Sequence, residues 1–150
     1  MTALAIGDAI PVVTFADADG AVLDLSSLSG APLVVYFYPK ADTPGCTTEA
    51  QDFTAMADDF AKIGAQVIAV SRDPAAKLCK FRDKYGLTVR LGSDEDGAVC
   101  EAFGTWVEKK NYGKTYMGIE RSTFLFAADG KLAREWRKVR VKGHAAAVLE

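Results

Sequence analysis

The amino-acid sequence predicts a single α/β domain, and three observations support this prediction. Residues 32–38 and 65–70 are short apolar runs rich in β-branched and aromatic side chains, as expected for buried strands. Between the two runs, apolar residues recur at helical spacing, so the segment predicts a βαβ unit. A chain of 150 residues is long enough for one good core, and we therefore expect residues 1–150 to form one domain.

A β-hairpin is predicted before this unit. Its strands are expected at residues 12–15 and 22–25, and the Asp19-Gly20 pair between them suits the turn. The helix of the βαβ unit is predicted to begin with Thr43 as its N-cap and Pro44 at the first helical position. It should continue without interruption to residue 63 and end at the following glycine.

The second half of the chain continues the alternation of helices and strands. The first predicted helix of this half has Asp73 as its cap and Pro74 at its first position, and it ends at Gly86. A strand at 89–91, a helix at 96–103 and a polar loop at 109–114 are predicted next. Strands at 122–127 and 132–141 then flank an Asp129-Gly130 turn, and a final helix is predicted from about Gly143. A closing hairpin and terminal helix are consistent with the α/β class.

Composition excludes several classes of function. The net charge of −2 argues against a surface for nucleic acid or for an acidic membrane. No segment approaches the roughly 18 apolar residues of a membrane span, and the N-terminus lacks the basic flank and apolar run of a signal peptide. Three cysteines, an odd number, do not indicate a secreted disulfide scaffold. We expect a cytoplasmic protein.

Cys46 is the residue whose position indicates chemistry. In the first turn of the predicted helix, backbone N–H groups lack intrahelical partners and the helix dipole favours an anion, so the position favours a thiolate nucleophile. Most free cysteines are instead small buried hydrophobic residues. The neighbours Gly45, Thr47 and Thr48 are small or polar, which places Cys46 off the apolar face of the helix. We therefore interpret Cys46 as a nucleophile.

The residues around Cys46 resemble a known active-site motif. Pro39-x-x-x-Thr43-x-x-Cys46 is similar to the motif of the peroxiredoxins, and the longer stretch from Tyr36 to Glu49 resembles their bacterioferritin comigratory protein (PrxQ) branch. The similarity extends over nearly the whole chain, through Ser71-Arg72-Asp73, Ser93-Asp94, Phe103-Gly104-x-Trp106 and Arg121-Ser122-Thr123-Phe124. This resemblance implies a thioredoxin-like fold with an N-terminal β-hairpin extension.

The resemblance also implies an activity and a site. It implies a thiol-dependent peroxidase that reduces hydrogen peroxide and organic hydroperoxides through a sulfenic acid on Cys46, with no metal or cofactor. Thr43 would polarise the peroxide together with the N–H groups near Gly45, and Pro39 would shield the sulfur. Arg121 matches the arginine of the family that holds the thiolate. Glu49 would support that arginine as a carboxylate in the first helical turn.

The residue that would resolve the sulfenic acid is less evident. Many proteins of the PrxQ branch carry a resolving cysteine five residues after the first, but Gln51 stands there in this chain. Cys79 and Cys100 remain. On a helical wheel, Cys79 lies about 125° from the centre of the apolar stripe of its own helix, and Cys100 lies roughly 80° from that of the following helix. Cys79 should therefore be the more exposed thiol and Cys100 the core residue. Because some relatives place the resolving cysteine on the next helix, Cys79 is favoured, with recycling by thioredoxin; an idle Cys79 stays open.

Other functions compete with this one. A dithiol oxidoreductase is disfavoured because no Cys-x-x-Cys is present and Thr43 stands where its first cysteine would be. A one-cysteine peroxidase resolved by an external thiol, or a non-catalytic peroxide sensor that uses Cys46, stays open. His144, the only histidine, is interpreted as a surface or helix-start residue, and Tyr36 and Trp106 as packing residues. The PrxQ resemblance suggests a monomer.

Overall fold

A mixed seven-stranded sheet forms the centre of the protein in a computed structural model that describes residues 6–10, 14–24, 30, 32–39, 44–62, 64–87, 89–95, 97–111, 113–136 and 148. The strands are β1 (Thr14–Asp17), β2 (Val22–Asp24), β3 (Leu33–Phe37), β4 (Gln66–Ser71), β5 (Arg90–Ser93), β6 (Trp106–Asn111), β7 (Lys114–Ile119), β8 (Ser122–Phe126) and β9 (Leu132–Trp136). The helices are α1 (Pro44–Ala55), α2 (Ala57–Lys62), α3 (Ala75–Tyr85) and α4 (Ala98–Phe103).

The sheet order is β2-β1-β5-β4-β3-β8-β9. The three central strands β5, β4 and β3 are parallel, with Val35 opposite Ile68, and β1 and β8 join them antiparallel on the two sides. This arrangement confirms the α/β class and the βαβ unit predicted from the sequence. The predicted N-terminal hairpin is also present, and it extends the central sheet at one edge.

Side chains of β3 point alternately to two apolar cores. On one face, Tyr36 stacks on Phe53 of α1 with ring centroids 4.6 Å apart. On the other face, Phe37 packs against Phe103 of α4 with centroids 5.0 Å apart. Every residue of β3 is buried, as expected for a central strand covered on both faces. The end of β3 is therefore a rigid support for the start of α1, the next helix along the chain.

Two helix predictions needed correction. The helix expected without interruption to residue 63 is divided at Met56 into α1 and α2. The Met56 N–H is shared between the carbonyls of Asp52 and Phe53, both at 3.2 Å, which tightens the helix locally. In α3, Pro74 is the N-cap rather than the first helical residue. The helix nevertheless ends before Gly86, which has the left-handed conformation that glycine accommodates.

The predicted polar loop at 109–114 is wrong, because this region forms most of a β-hairpin. β6 and β7 pair antiparallel from Trp106↔Ile119 to Asn111↔Lys114, in a two-stranded sheet separate from the central one. Strands in such a small ribbon have exposed edges, where charged residues are common, and this explains why the lysine-rich sequence resembles a loop.

The closing hairpin of β8 and β9 around Asp129-Gly130 is confirmed as far as Trp136. The rest of its predicted second strand, the start of the predicted final helix near Gly143, and His144 lie outside the described residues, as do residues 12, 13 and 25 of the first hairpin. None of the helices in the described part of the chain has the length and apolar character that a membrane span requires.

Candidate active site

Cys46 lies in the first turn of α1, which begins at Pro44 as predicted. Its burial was not predicted: the residue is 2% exposed and belongs to the apolar core that also contains Tyr36 and Tyr38. The interpretation that Cys46 lies off the apolar face is therefore wrong. The small polar neighbours in sequence do not determine its surroundings, because α1 starts just after β3 and its first turn packs on the end of that buried strand.

Arg121 bridges Cys46 and Glu49. Its Nη2 donates a hydrogen bond to Cys46 Sγ at 3.1 Å, and its Nη1 donates to Glu49 Oε1 at 2.6 Å. The sheet produces this contact: Ser122 pairs with Phe37 at the end of β3, so Arg121 lies beside the start of α1. One guanidinium thus donates hydrogen bonds to two acidic side chains. The structure places Arg121 in contact with Cys46 and Glu49, the two residues that the resemblance connected with it.

Glu49 is the most deeply buried acidic side chain of this group, with 1% of its side chain exposed. It lies in the second turn of α1, so the prediction of a first-turn carboxylate is wrong. Burial raises the pKa of Glu49 to about 7, and the attraction of Arg121 opposes this only in part. Its Oε2 has no hydrogen-bond partner among the described residues. A helix dipole therefore does not explain this carboxyl group.

Tyr36 adds a buried hydroxyl next to the same group. Burial raises its pKa well above the ordinary value, and the nearby charge of Glu49 raises it further. In the part of the chain that the structure describes, the Tyr36 hydroxyl finds no hydrogen-bond partner. Packing against Phe53 agrees with the sequence interpretation, but the polar end of Tyr36 was missed. The Tyr36-Phe37-Tyr38 alternation was the available signal, since it directs Tyr36 and Tyr38, the residue after β3, to the same side of the sheet.

The remaining predicted site residues are less closely defined. A Cβ atom at Gly45 would lie 3.3 Å from Arg121 Nη2, so glycine here leaves room for the guanidinium. Pro39 is exposed and lies two residues after the end of β3. Thr43 lies outside the described residues. Trp106 packs beneath the guanidinium of Arg72, whose carbon is 4.4 Å from the ring centroid.

The other two cysteines differ in their surroundings. Cys100 is fully buried beside Asp94, and burial raises its pKa far above the ordinary value. Cys79 on α3 is only partly buried; its Sγ accepts a hydrogen bond from Arg82 Nη2 at 3.4 Å and lies 3.7 Å from an oxygen of Asp83. The predicted order of exposure is confirmed. All three cysteines are free thiols in this structure.

The two candidate partners of Cys46 lie on different faces of the central sheet. Cys79 packs against the core that contains Cys46, whereas Cys100 belongs to the core on the opposite face. Among the described residues, no three histidine, cysteine or acidic side chains are grouped so that they could hold a metal ion. The chemical capacity of the site is therefore that of a sulfur nucleophile next to a cation in a largely water-free environment, where electrostatic interactions are strong.

Comparison with known proteins identifies relatives over almost the whole chain. Residues 6–135 match the model of the AhpC/TSA family. Peroxiredoxin Bcp of Bacillus subtilis is 47% identical over 145 residues, which is 97% of this chain and 92% of that protein. Peroxiredoxin Bcp of Escherichia coli K12 is 42% identical and covers 99% of this chain and 96% of its own.

Solved structures agree with these sequence matches. One belongs to a study of alkyl peroxide reduction by the bacterioferritin comigratory protein of Xanthomonas campestris; its TM-score is 0.89 at 44% identity, with 95% of each chain covered. A cysteine-to-serine variant of Xylella fastidiosa PrxQ has a TM-score of 0.93 at 37% identity, covering 99% of this chain and 95% of the other.

Proposed function

Because the chain belongs to the AhpC/TSA family, as a peroxiredoxin with a thioredoxin-like fold, we propose that it reduces hydrogen peroxide and organic hydroperoxides with Cys46 as the attacking residue. The observation that carries the assignment to Cys46 is the hydrogen bond from Arg121 to its sulfur, at a helix N-terminus. Both features stabilise a thiolate, which is the reactive form of cysteine.

In the proposed reaction, the Cys46 thiolate attacks the terminal oxygen of the peroxide. A sulfur–oxygen bond forms, the oxygen–oxygen bond breaks, and the two electrons come from the sulfur, which becomes a sulfenic acid. Arg121 is placed to stabilise negative charge as it moves from the sulfur to the departing oxygen, since it already contacts the sulfur at 3.1 Å. The leaving group departs as water or an alcohol.

Three further residues would shape the peroxide pocket, and a fourth would hold Arg121 in place. We assign Thr43 the donor role that its family counterpart has, and Pro39 the shielding of the sulfur. Gly45 contributes by its small size, because a side chain there would crowd Arg121. Glu49 holds the second N–H group of Arg121 and thereby fixes the guanidinium next to Cys46.

For resolution, we propose that Cys79 attacks the sulfenic acid and forms an intramolecular disulfide, which thioredoxin then reduces. Cys79 is more exposed than Cys100 and borders the same core as Cys46, and both facts favour it. The two sulfurs bond to different groups, Cys46 to Arg121 and Cys79 to Arg82. Since a disulfide needs Cα atoms within about 7 Å, we expect the first turns of α1 or α3 to unwind before it closes.

Two measurements test this function. Peroxide consumption with thioredoxin and its reductase should continue over many turnovers, whereas a peroxide sensor would give one stoichiometric burst. Mass-spectrometric mapping after one equivalent of peroxide should show a Cys46–Cys79 disulfide; a sulfenic acid on Cys46 alone would favour the one-cysteine mechanism instead. We also propose a reducing, cytoplasmic location, because three cysteines, an odd number, do not suit a secreted disulfide scaffold, and a monomer from the PrxQ relationship.

A further inference from the structure

Arg121 faces two acidic groups, and this arrangement raises a question of charge. The guanidinium contacts Cys46 Sγ and Glu49 Oε1, while Glu49 is almost entirely buried. If both groups were ionised, two negative charges would share one positive charge away from water, which is costly. The arrangement is neutral only when one of the two acids keeps its proton. In a thiolate enzyme that acid is Glu49.

We propose that Glu49 holds a proton in the reduced enzyme and releases it to the leaving oxygen when Cys46 attacks the peroxide. This proposal rests on the proposed function of Cys46. In the step, the sulfur–oxygen bond forms and the oxygen–oxygen bond breaks, with two electrons passing from sulfur to peroxide. The alkoxide or hydroxide that would leave takes the proton of Glu49, so the products are a neutral sulfenic acid, an alcohol or water, and an ionised Glu49.

Charge is conserved locally in this scheme. Before the reaction, the positive charge of Arg121 is balanced by the Cys46 thiolate; afterwards it is balanced by the Glu49 carboxylate. The guanidinium already contacts both groups, at 3.1 Å and 2.6 Å, so it need not move far to change partner. Reduction of the sulfenic acid regenerates the thiolate, and Glu49 then recovers a proton from solution. The site thus stays neutral through the catalytic cycle.

The surroundings of Glu49 support a stored proton. Its Oε2 is buried and has no partner within the described part of the chain, so this oxygen is available to carry the proton. The ionisable groups around it are Tyr36 on β3, Tyr38 directly after β3, Cys46 and Asp52 on α1, and Arg121 before β8. Of these groups only Arg121 is a cation. With burial as the largest contribution, the pKa of Glu49 rises to about 7, which suits a general acid at neutral pH.

The test is the number of protons taken up when one equivalent of peroxide oxidises Cys46, followed with a pH indicator in weak buffer. It is performed near pH 8, above the Glu49 pKa of about 7, so that the carboxylate left beside the neutral sulfenic acid does not take a proton from solution. The parent protein should take up almost no protons from solution, because Glu49 supplies them. Glu49→Gln should take up about one proton per Cys46 oxidised. The matched control Glu101→Gln, at an exposed carboxyl on α4, should behave as the parent does.

Equal uptake of one proton by the parent and by Glu49→Gln would overturn the proposal. Failure of the proposed function itself is distinguishable, since Cys46 would then not be oxidised at all. If Glu49→Gln does not fold, the parent protein provides a second measurement. Infrared difference spectra on addition of peroxide should show loss of a protonated carboxyl band, and an unchanged carboxyl region would equally contradict the proposal.

Discussion

Arg121 Nη2 lies 3.1 Å from Cys46 Sγ although 75 positions separate the two residues in the sequence. The contact joins the N-terminus of α1 to the residue that precedes β8, and the antiparallel pairing of β3 with β8 makes it possible. The candidate active site therefore depends on the pairing of strands in the sheet and not only on a local motif. Substitutions at this site and in its surroundings should have distinct, measurable effects.

Replacing Cys46 with serine should abolish peroxide consumption while the protein stays folded, because a hydroxyl in this position is a far weaker nucleophile than a thiolate. The measurement is peroxide loss with thioredoxin and its reductase, together with circular dichroism to verify the fold. Cys100→Ser is the control, since Cys100 lies in the core on the other face, and it should retain activity. Substantial turnover by Cys46→Ser would contradict the mechanism.

Arg121→Gln should slow the oxidation of Cys46 by about 100-fold or more, as is typical when a donor that stabilises transition-state charge is removed. Stopped-flow fluorescence under single-turnover conditions measures this step. The oxidation rate of Arg121→Lys should lie between those of the parent and of Arg121→Gln. An ammonium keeps the positive charge but cannot bridge Cys46 and Glu49 in the same geometry. Arg90→Gln, at an exposed position, is the matched control for loss of a positive charge and should oxidise at the parent's rate. An Arg121→Gln rate equal to the parent's would remove Arg121 from the mechanism.

Cys79→Ser should leave the first oxidation of Cys46 unchanged but prevent the intramolecular disulfide. The sulfenic acid should persist, become overoxidised by excess peroxide, and no longer be recycled by thioredoxin. Intact-protein mass spectrometry distinguishes these products. Cys100→Ser should still form the disulfide. Normal thioredoxin-dependent turnover by Cys79→Ser would replace this scheme with a one-cysteine mechanism.

Glu49 should make the protein less stable as pH rises. Its folded-state pKa of about 7 exceeds the ordinary 4.5 of the unfolded chain, so the folded state binds more protons between these values and stability falls as pH increases. The loss should reach roughly 3 kcal/mol by pH 8. Urea unfolding at several pH values measures it, with Glu49→Gln as the reference. A difference between the two proteins that does not vary from pH 5 to pH 8 would show that Glu49 titrates normally.

Tyr36→Phe should raise the free energy of unfolding by about 1 kcal/mol, because it removes a buried hydroxyl that has no partner among the described residues and keeps the ring stacked on Phe53. Urea unfolding measures the change. The peroxide kinetics of Tyr36→Phe should also be measured. They should equal those of the parent if Tyr36 contributes only to packing. A destabilised variant would indicate that the hydroxyl is bonded within the folded protein.

Local sequence signals predicted much of this molecule. The Pro44 helix start, the two buried strands and the Gly86 helix end each depend on interactions between neighbours in the chain, and each is present. Helical spacing alone also correctly predicted that Cys79 is more exposed than Cys100. Such features depend on backbone preferences and on helical periodicity, which sequence contains directly.

Features that depend on distant contacts were missed. The burial of Cys46 results from docking of α1 on β3, and no neighbouring residue signals it. The environment of Glu49 is set by burial against β3 and by Arg121, so an argument from the helix dipole failed. The β6–β7 hairpin was misread because its lysines favour a loop when considered alone. In each case tertiary structure outweighs local preference.

The long sequence separation of Cys46 and Arg121 also affects how the protein is made. Synthesis proceeds from the N-terminus, so Cys46 leaves the ribosome well before the cation that is to contact it. Until β8 pairs with β3, with Ser122 opposite Phe37, the thiol has no arginine beside it. Chains that end before β8 therefore lack the contact between Arg121 and Cys46. Under the proposed role of Arg121, Cys46 gains its full reactivity toward peroxide only after β8 has paired with β3.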